Sequence, residues 1–269
     1  MPTIVTPIER ALWWSKQPVF YGEFVRRMSA RLARRRPVLW DELGQRTARE
    51  WCSCRAISSN EALAALGRAE AATIEDAHAT ALIEAQQRAK RCSIPMGGPA
   101  DLNLLFQAAE SLAATNVVET GVALGWSSLA LLLSVNHRGG RVASVDFPYV
   151  IRGSSSCVGV CVPPALKANW DLVRLPDRDG LPKVLGRVGT VDMCHYDSAK
   201  SSVARRWAFP LLWQSLRPGG LFISDDIGDN MVFAEFATLV CCDPMVVLTP
   251  QGDGSAKYAG VLRVPGTPL

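Results

Sequence analysis

Five carboxylates stand at or just beyond the ends of short apolar runs: Glu119, Asp146, Asp197, Asp225 and Asp226. In a parallel sheet the carboxyl ends of the strands share one rim. Acids placed there converge, and their repulsion must be offset by a cation or by ligand donors. Asp197, Asp225 and Asp226 supply hard oxygen atoms, the kind that hold Mg²⁺, Mn²⁺ or Ca²⁺ while water and a substrate complete the shell. Lys200 follows Asp197 by three residues, one short turn away. A neighbouring dication would lower its amine from a reference pKa of about 10.4 and make it a candidate base, with Asp197 as the alternative.

A second group sits upstream. Residues 117–128 read Val-Val-Glu-Thr-Gly-Val-Ala-Leu-Gly-Trp-Ser-Ser, an apolar run ending in an acid, a small-residue turn, then an apolar helix. A buried strand that delivers a tight loop to a helix N-terminus is the usual place for a nucleotide-like ligand in such a sheet. Gly121 and Gly125 let backbone approach a ligand in conformations a Cβ would oppose. The spacing is E-x-G-x-x-x-G, so the G-x-G-x-x-G pyrophosphate fingerprint of an NAD-linked oxidoreductase is missing. Asp146, closing the run from Arg141, is placed to accept both hydroxyls of a ribose. A glycine loop, a following acid and no phosphate grip point together to S-adenosylmethionine.

The elements that must position these groups follow from periodicity. Residues 7–36 read as helical, with Leu12, Phe20, Phe24, Met28 and Leu32 on one face, at four-residue steps after Pro18, and Pro37 closes the segment. Helices are expected over 40–51 and 59–90, the latter with a capping start at Ser59. The prolines and glycines of 95–99 mark the end of a helical N-terminal cap, residues 1–94. From residue 95 to 269 strand and helix alternate. Strands are expected over 117–119, 142–146, 170–175, 191–196 and 221–224, with helices over 102–114, 126–135, 181–185, 202–216 and 231–240. A tight turn is expected at 217–220, and a hairpin of 245–248 with 258–264 closes the sheet. The fold class is α/β: a Rossmann-like, seven-stranded, mostly parallel sheet flanked by helices.

In this order the segments carry a resemblance. The glycine loop, then Ser144-Val-Asp-Phe-Pro-Tyr149, Asp192-Met-Cys-His-Tyr-Asp-Ser-Ala-Lys200 and Leu216-Arg-Pro-Gly-Gly-Leu-Phe-Ile-Ser-Asp-Asp-Ile227 resemble class I methyltransferases, more closely the methyltransferase-24 group. The acids are similar to the metal site of catechol- and caffeoyl-coenzyme-A-type O-methyltransferases. The resemblance implies S-adenosylmethionine on the loop of Gly121, Val122, Ala123 and Gly125. Its amino acid end would lie near Glu119, Gly121 and Ser127, its ribose on Asp146 and its adenine near Phe147. Asp177, Arg178 and Ser198 would line the adenine pocket, with Asp197 beside them. Met96 and Gly97 would close over the sulfonium, Asp197, Asp225 and Asp226 would hold the metal, and Lys200 would take or stabilise the substrate proton. The implied activity is metal-assisted methyl transfer to a hydroxyl of a sugar, phenol or natural-product intermediate. A metal-independent transfer to N, C or O is the alternative. Lys200 stands where many members carry His, Asp226 where catechol-type enzymes carry Asn, and Leu175-Pro176-Asp177 where Gly-Asp is usual.

Composition bounds the rest. With 48% hydrophobic and 20% charged residues the chain reads as an ordinary globular protein, without an apolar run long enough to span a bilayer or a secretory signal. The eight cysteines have no metal-ligand spacing and are expected as reduced thiols in a cytoplasm. Before Pro37 eight basic residues face two acids, against a net +4 for the whole chain, so the N-terminal segment is strongly basic. It is read as a solvated helix face, not a nucleic-acid or lipid surface, because no aromatic-basic alternation accompanies it. Trp13, Trp14, Trp40 and Trp51 are read as core or homodimer contacts, and His195 as a buried histidine with its hydrogen bonds met.

Overall fold

The computed structural model describes residues 6–33, 38–94, 96–148, 154–250 and 256–266. Its strands are β1 (Ala56–Ser58), β2 (Asn116–Thr120), β3 (Arg141–Val145), β4 (Trp170–Val173), β5 (Val191–Tyr196), β6 (Leu216–Ser224), β7 (Met245–Pro250) and β8 (Ala256–Arg263). They form one sheet in the order β1-β7-β8-β6-β5-β2-β3-β4. Only β8 runs antiparallel to its neighbours β6 and β7. The sheet therefore has eight strands where seven were expected. The extra one, β1, comes from the segment read as purely helical and pairs in parallel with β7.

Alternation along the strands sends successive side chains to opposite faces. Val117, Met193, Leu221 and Ile223 join one buried cluster, and Val118, Cys194, Tyr196 and Phe222 join the other. The first face is covered by α4 (Ser59–Ala65), α5 (Ile74–Lys90), α6 (Leu102–Ser111) and α7 (Trp126–Asn136). The second is covered by α8 (Asp177–Val188), α9 (Ser202–Ser215) and α10 (Val232–Leu239), with Cys52 of α3 (Val38–Ser53). Two covered faces explain why the central strands read as continuous apolar runs. Ala62, Leu63 and Ile74 lie in the same core as the strands, so the segment before residue 95 shares the sheet's packing.

Several expected elements move. The helix expected over 59–90 is two, because Gly67 turns left-handed (φ 72°) and Thr73 starts a new capping box with Asp76; the first box uses Ser58 with Glu61, one residue earlier than read. The turn expected at 217–220 lies inside β6: Gly219 takes φ 77° opposite a register shift between Val191 and Met193, an irregularity of the kind a β-bulge makes. Helix α8 starts at Asp177, four residues before the expected start, and takes over the chain just past β4. The hairpin loop 251–255 lies outside the described residues.

The N-terminal segment also breaks, into α1 (Pro7–Ser15), a 3₁₀ turn at Pro18–Phe20 and α2 (Tyr21–Ala33). Of the expected apolar stripe only Phe20 is buried; Leu12, Phe24, Met28 and Leu32 are exposed. The break rotates the two halves, and Trp14 and Phe20 turn inward together. The cysteines correct the reduced-thiol expectation: Cys92 and Cys157 form a disulfide across 65 residues, while Cys52, Cys161 and Cys194 are buried free thiols. No described helix is long and apolar enough to cross a membrane.

Candidate active site

Backbone hydrogen bonds assemble the rim. The residue after each strand donates its N–H to a neighbouring strand's last carbonyl: Gly121 to Val145 (2.9 Å), Asp146 to Val173 (3.0 Å), Asp197 to Thr120 (2.9 Å) and Asp225 to Tyr196 (3.0 Å). Asp146, Asp197 and Asp225 thus share an edge with the glycine loop, as read from sequence. Glu119 does not. It lies inside β2, fully buried, and alternation turns it onto a face of the sheet toward α7. There its Oε2 accepts the hydroxyls of Ser128 (2.5 Å) and Ser144 (2.7 Å), and Trp170 Nε1 donates to the same Ser144 (2.8 Å). Its Oε2 thus braces the sheet beneath the loop, while Oε1 has no hydrogen bond.

The loop is held tightly. Gly121 (φ 81°), Ala123 (φ 48°) and Gly125 (φ 88°) are all left-handed. A Cβ on Gly121 would strike the Asp197 carbonyl, and one on Gly125 would meet Gly159. Gly159 and Cys161 donate their N–H groups to Ala123 and Leu124, each at 2.9 Å, so this segment clasps the loop from outside. Val122 and Ser127 are buried on either side of the turn. Val122 N–H donates to Asp146 Oδ1 at 3.0 Å. That leaves Asp146 Oδ2, buried, without a hydrogen-bond partner and 3.6 Å from Arg174 Nε. Burial pushes the Asp146 carboxyl up, against the pull of the Val122 N–H and Arg174. A buried acceptor without a donor is costly, and it fits a ligand hydroxyl.

The acid rim carries its own cations. Lys200 Nζ lies between Asp197 Oδ1, in very close contact, and Asp226 Oδ2 at 2.8 Å; Lys257 Nζ is 3.8 Å from Asp226 Oδ1. Although burial opposes its charge, Asp197 and Asp226 raise the Lys200 amine above its ordinary range. Without a dication beside it, the amine is held as an ion-pair partner of both carboxylates. Burial, then the charge of Asp197, pushes Asp225 up to about 6. Among the described residues no group of three His, Cys, Asp or Glu side chains is arranged to hold a metal ion. The donor chemistry suits a hard dication, and the Lys200 ammonium lies between two of the three acids.

Two residues deepen this picture. Arg205 is fully buried, and its Nη2 donates to the carbonyls of Asp225 (3.2 Å) and Asp226 (2.8 Å) while Nε and Nη1 have no partner. Asp226, whose carbonyl it holds, is left-handed (φ 52°), a conformation uncommon for residues other than glycine. Sequence reasoning missed Arg205, yet the signal was there: it precedes the buried Ala208, Phe209 and Leu212 by three, four and seven residues, on one helix face. His195 is buried but not satisfied. Neither ring nitrogen has a hydrogen-bond partner, and Nδ1 stands 3.7 Å from Glu119 Oε1. Burial lowers its basicity, but Glu119 and Asp225 more than offset that and raise it.

On the far side of Asp146, the Ser198 hydroxyl donates to Asp177 Oδ2 in very close contact, so the expected pair meets. Burial pushes Asp177 up to about 6. Arg178 points away, exposed, over the Trp207 ring at 4.9 Å. Phe147 is ringed by the N-terminal aromatics rather than open. Met96 is half-buried and Gly97 exposed, with open space where its Cβ would be.

This rim coincides with known architecture. A family model described as a methyltransferase domain matches residues 118–227, from the second residue of the Val-Val-Glu run to the Asp-Asp-Ile turn. No curated protein matches the chain. Among solved structures, an O-methyltransferase from Bacillus cereus in complex with SAH is similar at 16% identity and TM-score 0.56, over 71% of this chain and 94% of that one. The O-methyltransferase TomG from Streptomyces achromogenes, in complex with SAM and involved in tomaymycin synthesis, is similar at 19% identity and TM-score 0.54, over 69% and 90%. SAH-bound PaMTH1 from Podospora anserina is similar at 14% identity and TM-score 0.51, over 69% and 88%. Residues 118–227 match the methyltransferase-domain model, and the chain shares its Rossmann-like fold with these O-methyltransferase structures.

Proposed function

We propose that the chain transfers a methyl group from S-adenosylmethionine to a hydroxyl of a small molecule at the rim formed by Asp146, Asp197, Lys200 and Asp226. The observation that carries the reading is the buried Asp146 Oδ2, an acceptor awaiting a hydroxyl donor beside the glycine loop. The similar B. cereus and S. achromogenes enzymes, named O-methyltransferases and holding SAH or SAM, support it. S-adenosylmethionine, when bound, supplies the electrophilic methyl. Asp146 and the Gly121 loop orient the nucleoside, with Asp177 and Ser198 beside it. The Lys200 ammonium, held between two carboxylates, lowers the energy of an acceptor oxygen as it loses its proton. Asp225, near neutrality in its proton affinity, and Asp197 are the groups able to receive that proton.

Metal-assisted transfer, with Mg²⁺ on Asp197, Asp225 and Asp226, is the second reading. The three hard-oxygen donors favour it and the placement of Lys200 opposes it. Turnover of a panel of phenolic and sugar hydroxyls with labelled S-adenosylmethionine, with and without EDTA, separates the two. Undiminished turnover in chelator supports the ammonium; loss restored by Mg²⁺ supports the ion. A homodimer through the N-terminal helices belongs to the same proposal, because Leu12 (53%), Val25 (59%) and Leu32 (79%) leave an exposed apolar face. A monomeric mass by light scattering would remove that part.

A further inference from the structure

Helix α5 carries the segment that clasps the glycine loop, and it does so by two ties. Arg88 donates from Nε to the Val160 carbonyl (3.1 Å) and from Nη2 to the Cys161 carbonyl (2.8 Å). One helical turn further on, Cys92 is bonded to Cys157. The Cys92 N–H donates to the Ala89 carbonyl (3.0 Å), so this cysteine stays fixed to the helix end. Between the two ties stands Gly159. Its N–H holds the Ala123 carbonyl at 2.9 Å, and its Cα is the atom a Cβ on Gly125 would strike. The Trp170 ring closes the other side of Gly159 and leaves no room for a Cβ there. A movement at Cys157 therefore passes through one backbone hydrogen bond to the left-handed turn of Ala123 and Gly125.

Resting on the reading that a methyl donor sits on the Gly121 loop, we propose that Cys92–Cys157 is a redox switch on the grip of that loop. Oxidised, the bond holds the clasp and the loop in the binding conformation; reduced, it releases them and donor affinity falls. The bond is open to attack from one side. Cys157 is buried, whereas Cys92 is half-buried between exposed Arg91 and Ser93, with exposed Lys90 beside them. Those two cations favour an approaching thiolate. A thiolate of a dithiol reductant attacks Cys92 Sγ, the S–S bond breaks, and Cys157 leaves as a thiolate that takes a proton from water. The reductant's second thiolate attacks the mixed disulfide, frees Cys92 and departs as a disulfide, so two electrons pass to the protein. With the bond cut, Arg88 still holds Val160 and Cys161, so the change is a local loosening rather than an unfolding.

The probe is S-adenosylhomocysteine, titrated by calorimetry into full-length wild type oxidised in air, reduced with dithiothreitol, and reoxidised. Cys92→Ser stands in for the reduced form, and circular dichroism checks the fold of each sample. Amide hydrogen exchange over residues 121–125 is followed in parallel. The switch predicts affinity about tenfold weaker in the reduced protein and in Cys92→Ser, faster exchange at 121–125, and recovery on reoxidation in wild type alone. Reduction needs no substitution, so the test stands even where Cys92→Ser does not fold. Equal affinity and exchange in the two redox states, even with a lower melting temperature, make the bond a staple only and overturn the inference. Tighter binding after reduction overturns it too, as do eight free thiols in the air-oxidised protein. Binding by neither form defeats the donor reading beneath it, and exchange at 121–125 then decides the switch by itself: unchanged rates overturn it.

Discussion

At the scale of single residues, the site is a balance of buried charge. Asp197, Asp225 and Asp226 crowd one edge, and Lys200 and Arg205 reach them from within the chain, one by side chain and one through backbone carbonyls. The two cations are not interchangeable. Lys200→Met leaves two carboxylates facing each other and removes the donor at the reacting oxygen, so kcat falls about a hundredfold with the cofactor affinity held. Lys200→Arg retains part of the rate. Because its proton is held more tightly than usual, no inflection in the rate from pH 6 to 9 traces to Lys200 in a comparison of wild type with Lys200→Arg. Arg205→Met acts on the fold instead: it strips donors from two carbonyls and frees the left-handed Asp226, costing about 2–3 kcal/mol in denaturant unfolding. A rate loss without a stability loss would contradict that assignment.

At the scale of elements, helix α8 opens on a titrating group. Burial raises Asp177 from 3.8 to about 6, so the folded state binds its proton more tightly than the unfolded chain does. The associated stability is complete below pH 3.8 and is lost as pH rises through 6. Asp177→Asn keeps an acceptor for Ser198 but does not titrate. Its melting temperature relative to wild type therefore rises between pH 4 and 7.5; a constant difference would show Asp177 ionising freely. The Cys92–Cys157 bond belongs to this scale too, tying the end of α5 to the segment that clasps the glycine loop. Its 65-residue separation is worth about 4 kcal/mol in chain entropy, so reduction or Cys157→Ser lowers the melting temperature by several degrees. Thiol counting on protein from a reducing cytoplasm reports whether the bond and the expected compartment are compatible. Finding eight free thiols and an unchanged melting curve would refute the tie.

The same elements show what sequence makes legible. The strands β2, β3, β5 and β6 were readable because both faces of the sheet are covered, leaving unbroken apolar runs that end in Asp146, Asp197 and Asp225. The burial of Glu119 was not readable, because one residue of register decides whether a carboxylate clears the strand end or turns into the core. The disulfide was unreadable because its spacing is set by tertiary packing of α5 on the loop beyond β3, not by any local motif. The breaks at Gly67 and Pro18 carried turn signals, but apolar periodicity on either side masked them.

At the scale of the whole molecule, one sheet carries everything. The segment before residue 95 supplies an edge strand, part of the core and the aromatic wall around Phe147. The central claim is that Asp146 presents a buried oxygen without a hydrogen bond, 3.6 Å from Arg174, to a nucleoside beside the Gly121 loop. Titration of S-adenosylhomocysteine into wild type and Asp146→Ala tests it most directly. Wild type is predicted to bind one equivalent, and Asp146→Ala to bind at least tenfold more weakly while remaining folded. Equal binding by both proteins, or no binding by the wild type, would contradict the account.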